Sequence, residues 1–467
     1  MSEPQRPHPL VRSLVESLSS RRRWPRGLYV HVPYCVAKCP YCDFNSYAFS
    51  DPGQLDEMVE AILQEAEQWA ALLEGGRGGF RTLFVGGGTP TVLRPAQLRR
   101  LVVGLRERLP LSDLEEATIE ANPGTLTLEK LEALREAGID RVSVGVQSLQ
   151  PDELRRLGRI HTAEQAVRSV AMIRRAGFAR FNLDVMVAIP GQTAESLRHT
   201  LDRLVGELGA RHVSAYVLTL EESTPFFEAW RRGELPMADE ETQARMVELV
   251  VSRLAGAGLE RYEVSNFARP GEESKHNLGY WRHQTYLGLG PGAHSFWAGF
   301  RFASVRAPAA YVGAVRPGGA TAGSAVGFIE RLCLRQWMDE RILLGLRIAE
   351  GVDRERFARE LGYPLEEAYD PRVWDRLEAG GLIRRDGRTV RLTDRGFLVA
   401  DAVAVAITAS ARPLPGEAEP LLQGEAQGEP DEDVGADPAA GADQPESQFT
   451  GAPHAAVEAD LVAAAHP

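Results

Sequence analysis

The chain predicts an α/β fold: an open, partial (β/α)6 barrel with an α+β extension, a small C-terminal helical, winged domain, and a disordered acidic tail. Three observations point there. Six short apolar runs recur along the first half, segments of helical period lie between them, and conspicuous polar residues fall at the ends of the runs. Strand alternating with helix argues for a parallel sheet with right-handed crossovers.

Taken in order, residues 1–26 are basic and proline-bearing but lack the apolar core of a secretory signal, so they read as an N-terminal extension. Strand-like runs cover 27–33, 81–86, 117–120, 141–147, 180–189 and 212–220, each closed by polar, Gly or Pro residues. Helical periodicity fills 55–73, 95–109, 128–137, 163–176 and 195–208. Pro95, Thr127 and Thr193 suit helix starts, and Gly138 and Gly177 suit stops. These units make a partial barrel over 27–221, two short of a complete eightfold one. A middle region follows over 222–326, rich in Gly, aromatic and His residues. Residues 327–411 open with a long amphipathic helix, continue with another over 373–379, and turn into a hairpin over 382–392. From 412 to 467 the Gly, Ala, Pro, Glu and Asp bias leaves no core to bury, which predicts disorder.

The formal charge of −12 belongs to that tail. Beyond Arg412 there is no Lys or Arg but twelve acids, and without them acids and bases balance at 53 each. A near-neutral body offers no field for nucleic-acid phosphates, so that class of partner is not expected. The tail itself reads as a solvating segment rather than a dock for a basic partner. No apolar run approaches the ~20 residues that span a bilayer, and the predicted location is the cytoplasm.

Four cysteines occur, three of them within eight residues: Cys35, Cys39 and Cys42. The count and compartment exclude a disulfide framework. Cys333, alone in an apolar stretch, is predicted to be a small buried hydrophobe. The spacing Cys35-x3-Cys39-x2-Cys42 lets one short loop wrap a metal centre, and two readings compete. Structural zinc takes four protein ligands, and no fourth Cys or His sits at familiar spacing. An iron–sulfur cube also takes four, and three cysteines leave one iron open for a ligand. One βα unit later comes Gly86-Gly87-Gly88-Thr89-Pro90, where missing Cβ atoms allow close backbone approach to a ligand. A tight turn explains a glycine triplet equally well.

The cysteine spacing, followed by an aromatic residue, resembles the signature of the radical S-adenosylmethionine (SAM) superfamily. Such proteins hold a [4Fe–4S] cluster whose open iron chelates the amino and carboxylate groups of SAM. The reduced cluster then cleaves the sulfonium to give a 5′-deoxyadenosyl radical. From Tyr29 to about Val399 the chain resembles the oxygen-independent coproporphyrinogen III oxidase group, and within it the HemW-type heme chaperones. The motifs are LYVHVPYCVAKCPYCDFNS, GGGTPT, IEANPGT, SVGVQS, LGRIHT, NLDVMVAIPGQT, HNLGYW and LGLGPGAHSF.

The resemblance implies that Cys35, Cys39 and Cys42 hold the cluster. Tyr29, Tyr41, Gly87, Gly88 and Thr89 would line the SAM methionine and adenine. Glu120, Gln147, Arg159 and Asp184 would contact its polar groups. Read alone, Glu120 and Asp184 serve equally as a salt bridge at the barrel mouth, and Arg159 as a solvated charge. The oxidases carry a further cysteine two residues after the third ligand, where this chain has Phe44. The motif His276-Asn-Leu-Gly-Tyr280-Trp281 resembles a heme-binding motif, with His276 as the iron ligand and the aromatic rings against the macrocycle. Alternatively His276 hydrogen-bonds locally and the rings fill a core. Two functions follow. One is a chaperone with heme as cargo, an electron donor for the cluster, and heme-acceptor proteins, membrane ones included, as partners. The other is a porphyrin-biosynthesis enzyme that decarboxylates coproporphyrinogen III to protoporphyrinogen IX.

Overall fold

The structure, a computed structural model, describes residues 8–316 and 320–417. Its frame is one twelve-stranded sheet. We number the strands of that sheet alone: β1 (Gly27–Val32), β2 (Thr82–Gly87), β3 (Glu116–Ala121), β4 (Arg141–Gln147), β5 (Arg180–Val187) and β6 (His212–Val217). The others are β7 (Glu260–Arg261), β8 (Asn266–Ala268), β9 (Tyr286–Leu289), β10 (His294–Trp297), β11 (Phe300–Ser304) and β12 (Val326–Arg331). Their spatial order is β12-β11-β10-β9-β1-β2-β3-β4-β5-β6-β8-β7.

Strands β1 to β6 pair in sequence order and all run parallel. This is the predicted partial barrel. The helices between them begin and end on the predicted residues. Thr127 and Thr193 accept hydrogen bonds from the third helical N–H. Gly138 and Gly177 follow their helices at φ +97° and +84°, a region that glycine enters without steric cost.

The middle stretch does not stand apart from the barrel. It supplies both borders of the sheet: β9 joins β1 in parallel, and β8 joins β6 antiparallel. The parallel array therefore has seven strands. N-terminal to it lies a helix, Pro9–Arg21, with Leu14 and Leu18 buried. A second core gathers Trp337, Met338, Phe357, Tyr369 and Trp374 under helices Leu334–Gly345 and Pro371–Ala379. The expected hairpin is present as Ile383–Arg385 against Thr389–Leu392. Cys333 is buried and precedes the first of those helices.

The first residues of the expected disordered tail are in fact held. The Arg412 N–H donates to the Ala368 carbonyl at 2.9 Å, and Arg335 pairs with Glu417. A buried arginine captures the first acid of the segment, which composition alone does not register. Residues 418–467 lie outside the described residues. Among the described residues no helix is long and apolar enough to cross a membrane.

The amino ends of the barrel strands are closed by helix Lys275–Trp281. Glu116, at the start of β3 and 1% exposed, organises this floor. It receives Arg141 and Arg180, the Ser274 hydroxyl, and the N–H groups of Lys275 and His276. Removing one partner of a buried ion pair leaves the other charge uncompensated and costs about 3–5 kcal/mol. Glu116→Ala is expected to lower stability by that amount in guanidinium unfolding. A loss below about 1 kcal/mol would show that the floor does not rest on this carboxylate.

Candidate functional site

The three cysteines follow β1 on a loop with little secondary structure of its own. Beyond the two-residue pairing of Tyr34–Cys35 with Tyr47–Ala48, its shape is set by hydrogen bonds to distant parts of the chain. On one flank Asn45 donates through Nδ2 to the carbonyls of Pro291 and Arg306, at 2.9 and 3.0 Å. The Asn45 carbonyl accepts from His31 Nε2 at 2.9 Å, and His31 Nδ1 meets the Tyr29 hydroxyl at 2.9 Å. A carbonyl can only accept, so the proton sits on Nε2. Burial lowers the His31 pKa to about 4, keeping the ring neutral.

The opposite flank is held by the segment after β6. Ser223 donates to Asp43, and the Phe226 N–H donates to the Pro40 carbonyl at 3.0 Å. Tyr41 packs against the Phe226 ring with centroids 6.0 Å apart. The glycine triplet closes the third side. N–H groups of Gly88 and Thr89 donate to the carbonyls of Val32 and Tyr34, each at 2.9 Å. A Cβ on Gly88 would stand 2.8 Å from the Tyr34 oxygen and 3.0 Å from Cys35 Sγ. The space left by glycine is thus filled by the cysteine loop itself, and Gly87 adopts φ +113° in making that approach.

The loop roofs a cavity of about 1290 Å³. All the residues predicted for cluster and cofactor line it except Tyr29, whose phenol is committed to His31. Phe44 lines it as well. Arg159, on the loop after helix Pro151–Arg156, reaches Cys39 Sγ at 3.6 Å, the Tyr41 hydroxyl at 3.4 Å and the Gly145 carbonyl at 3.0 Å. It is therefore not a solvated charge. The three thiols share the cavity without converging on a point that would seat a single metal ion, and no such set of His, Cys, Asp or Glu occurs among the described residues.

Across from the thiols stand two buried carboxyls. Burial, then the Asp184 charge, pushes Glu120 well above the carboxylate range. Burial raises Asp184 to about 6 against hydrogen bonds from Ser214, Ser143 and Asn182. Asp184 is held by hydrogen bonds from the Ser143 hydroxyl and Asn182 Nδ2, at 2.9 and 2.8 Å, rather than by a salt bridge. Glu120 Oε2 accepts from the Gly87 N–H at 3.0 Å, while Oε1 is buried with no partner. Gln147 Oε1 and Arg159 Nε are also buried and unpartnered. Gln147 ends β4 at φ +61°, a conformation costing about 1–3 kcal/mol for a non-glycine residue and typical of functional sites. Three residues that line one cavity thus carry buried polar atoms with no partner among the described residues, a rare condition in a folded protein.

His276, Tyr280 and Trp281 come together elsewhere. His276 Nδ1 meets Thr82 Oγ1 and its Nε2 meets the Tyr280 hydroxyl, both at 2.8 Å, and the ring stacks on Phe84. Thr82 opens β2, whereas Gly87 at its other end borders the cysteines. At 3.3 Å per residue the two ends are about 16 Å apart. His276 is 2% exposed, and burial lowers its pKa to about 4.

Sequence reasoning missed His31, Asn45, Ser223 and Phe226. One signal was present: Asn45 follows Cys42 closely, and Gly292 in LGLGPGAHSF makes room for it, as Gly290 does for His31. A Cβ at Gly292 would lie 2.5 Å from Asn45 Nδ2, and one at Gly290 2.3 Å from the His31 carbonyl.

A model of the radical SAM superfamily matches residues 29–204, and one of the HemN C-terminal domain matches 334–399. The chain is 37% identical over 379 residues to the heme chaperone HemW of Bacillus subtilis, covering 81% of this chain and 98% of that one. To HemW of Mycobacterium tuberculosis it is 38% identical over 381 residues, covering 81% and 94%. Coproporphyrinogen III oxidase (HemN) of Escherichia coli shares the fold, with a TM-score of 0.74 at 24% identity, covering 85% and 92%.

Asn45→Ala removes two long-range bonds of the cysteine loop. In the metal-free protein the three thiols are expected to react several-fold faster with a thiol reagent while the thermal melt shifts only slightly. Unchanged rates would show that the loop is held without this residue.

Proposed function

This chain belongs to the HemW family of the radical SAM superfamily, and on that footing we propose that it is a heme chaperone. In this reading it carries a [4Fe–4S] cluster on Cys35, Cys39 and Cys42, binds SAM beside it, and takes up heme for delivery to acceptor proteins. The observation that carries the proposal is the match along 98% of the length of a heme chaperone.

The cavity's chemistry supports the cofactor part. When bound, the cluster and SAM supply an open iron and a reducible sulfonium, the hard chemistry that a protein frame only orients. The residues present suit that pair. Thiolates gain from the Arg159 guanidinium beside Cys39. Burial pushes the carboxyls of Glu120 and Asp184 up, and an ammonium or sulfonium beside them would favour their ionised forms. Gln147 Oε1 accepts from a ligand donor, and Arg159 Nε donates to a ligand acceptor. Phe226 and Tyr41 wall the loop with apolar surface and limit water access.

Phe44 supports delivery over decarboxylation. It occupies the position where the oxidases resembled by this chain have another cysteine, and it places an apolar ring in the cavity lining. The test is anaerobic. With reduced cluster, SAM and coproporphyrinogen III, no catalytic yield of protoporphyrinogen IX is expected, while heme added to the same protein is bound. Multiple turnovers of the porphyrinogen would overturn the chaperone reading in favour of the oxidase.

A further inference from the structure

The inward face of the barrel is polar where strands of a parallel sheet are usually apolar on both faces. Side chains alternate along a strand, so β4 turns Arg141 and Ser143 inward, and β5 turns Asn182 and Asp184. All four are buried. Buried polar groups need partners, and these find them in one another.

Their hydrogen bonds run in one direction, from the floor to the rim. Arg141 Nη1 donates to Glu116 at 3.3 Å and to the carbonyls of Glu272 and Glu273, just before the floor helix. Arg141 Nε reaches Asn182 Oδ1 at 3.5 Å. A guanidinium only donates, so it turns the oxygen of the Asn182 amide to the floor and the nitrogen to the rim. From Nδ2 the amide donates to Ser143 Oγ at 2.7 Å and to Asp184 Oδ1 at 2.8 Å. Ser143 gives its own hydrogen to Asp184 Oδ2 at 2.9 Å. Both oxygens of Asp184 are thus held from below. Each accepts about two hydrogen bonds, which leaves a place on each for a donor in the cavity that Asp184 lines. Asn182 does not line that cavity and meets its contents only through Asp184.

We propose that Asn182 is a positioning residue: oriented by Arg141 from the floor, it aims the Asp184 carboxylate at the ligand of the cofactor cavity. The assignment rests on the reading that SAM binds there, and names what keeps one of its contacts in place. Burial raises Asp184 to about 6, and bonds from Ser214, Ser143 and Asn182, with the Arg141 charge, keep it from rising further. The other titratable groups set against it are Glu120 on β3 and Tyr216 on β6, and both are common to the parent and any Asn182 variant. Loss of the amide donor therefore raises the Asp184 pKa. Less of the carboxylate is then ionised near neutral pH, and a cationic ligand is held less well.

Anaerobic equilibrium dialysis of the cluster-loaded, full-length protein against labelled SAM tests this. Asn182→Leu keeps the branched outline of the side chain and Asn182→Ala shortens it, and neither retains the donor. Thr118→Val is the control: Thr118 lies opposite Arg141 in the sheet, and its buried hydroxyl bonds to none of these groups. Thermal melts report which variants fold, and one folded Asn182 variant suffices. SAM binding relative to the parent is expected to weaken about tenfold at about pH 7 and clearly less at about pH 8.5. Thr118→Val is expected to stay within about twofold of the parent at either pH. Parental affinity in the Asn182 variants, or an equal loss at both pH values, would overturn the positioning role and leave the cofactor reading standing. A cluster-loaded parent that binds no SAM would overturn the cofactor reading, and this assignment with it.

Discussion

Everything in the candidate site depends on holding an irregular loop still. The segment from Tyr34 to Ser46 has only two residues of ladder pairing, so the positions of its thiols rest on hydrogen bonds to three separate parts of the chain. Asn45 ties it to the β9–β10 turn and to Arg306, Ser223 and Phe226 tie it to the segment after β6, and the glycine triplet presses on Tyr34. The ties to Pro291, to Ser223 and Phe226, and to the glycine triplet follow the carboxyl ends of the parallel strands β9, β6 and β2. That rim is where βα barrels place their chemistry, and the clamp explains why the sheet must extend beyond six strands. Without β9 alongside β1, the turn that receives Asn45 would have no fixed place.

The same rim sets the electrostatics. Glu120, Asp184 and Gln147 come from three successive strands, so the sheet's register, with Gly145 opposite Asp184, decides their spacing. Burial pushes both carboxyls up, and the Asp184 charge adds to the effect on Glu120. The floor works oppositely. Glu116 faces two arginines and a helix N-terminus, and its charges are matched within the protein. One end of the barrel matches its charges internally, and the other carries buried polar atoms of Glu120, Gln147 and Arg159 that bond to nothing among the described residues.

Much of this was legible in the sequence. Alternating apolar runs with capped helices gave the parallel barrel, because burial on both faces writes itself into composition. The cysteines, the glycine triplet and the strand-end acids were found because each is local and chemically conspicuous. The clamp was not. Ser223 lies 180 residues from Asp43, and Arg306 lies 261 from Asn45, and no local pattern encodes such pairings. Strand β9 is four residues with a glycine inside, too short for periodicity to register. The triplet was read as room for a ligand; Gly87 and Gly88 do line the cavity, and the Tyr34 backbone also stands where a Cβ of Gly88 would go. His276 shows the limit most plainly: a motif supplies residue types, but only the fold reveals that the ring faces Thr82 and Phe84 rather than the thiols.

The central claim is that three thiols and the polar atoms opposite them form one site for a cluster and SAM. Low-temperature EPR of the anaerobically reconstituted, dithionite-reduced protein tests it directly. The account predicts a [4Fe–4S]+ signal whose g-values shift when SAM is added, with the signal lost in Cys39→Ser. A cluster signal indifferent to SAM, or one that survives loss of Cys39 unchanged, would contradict it.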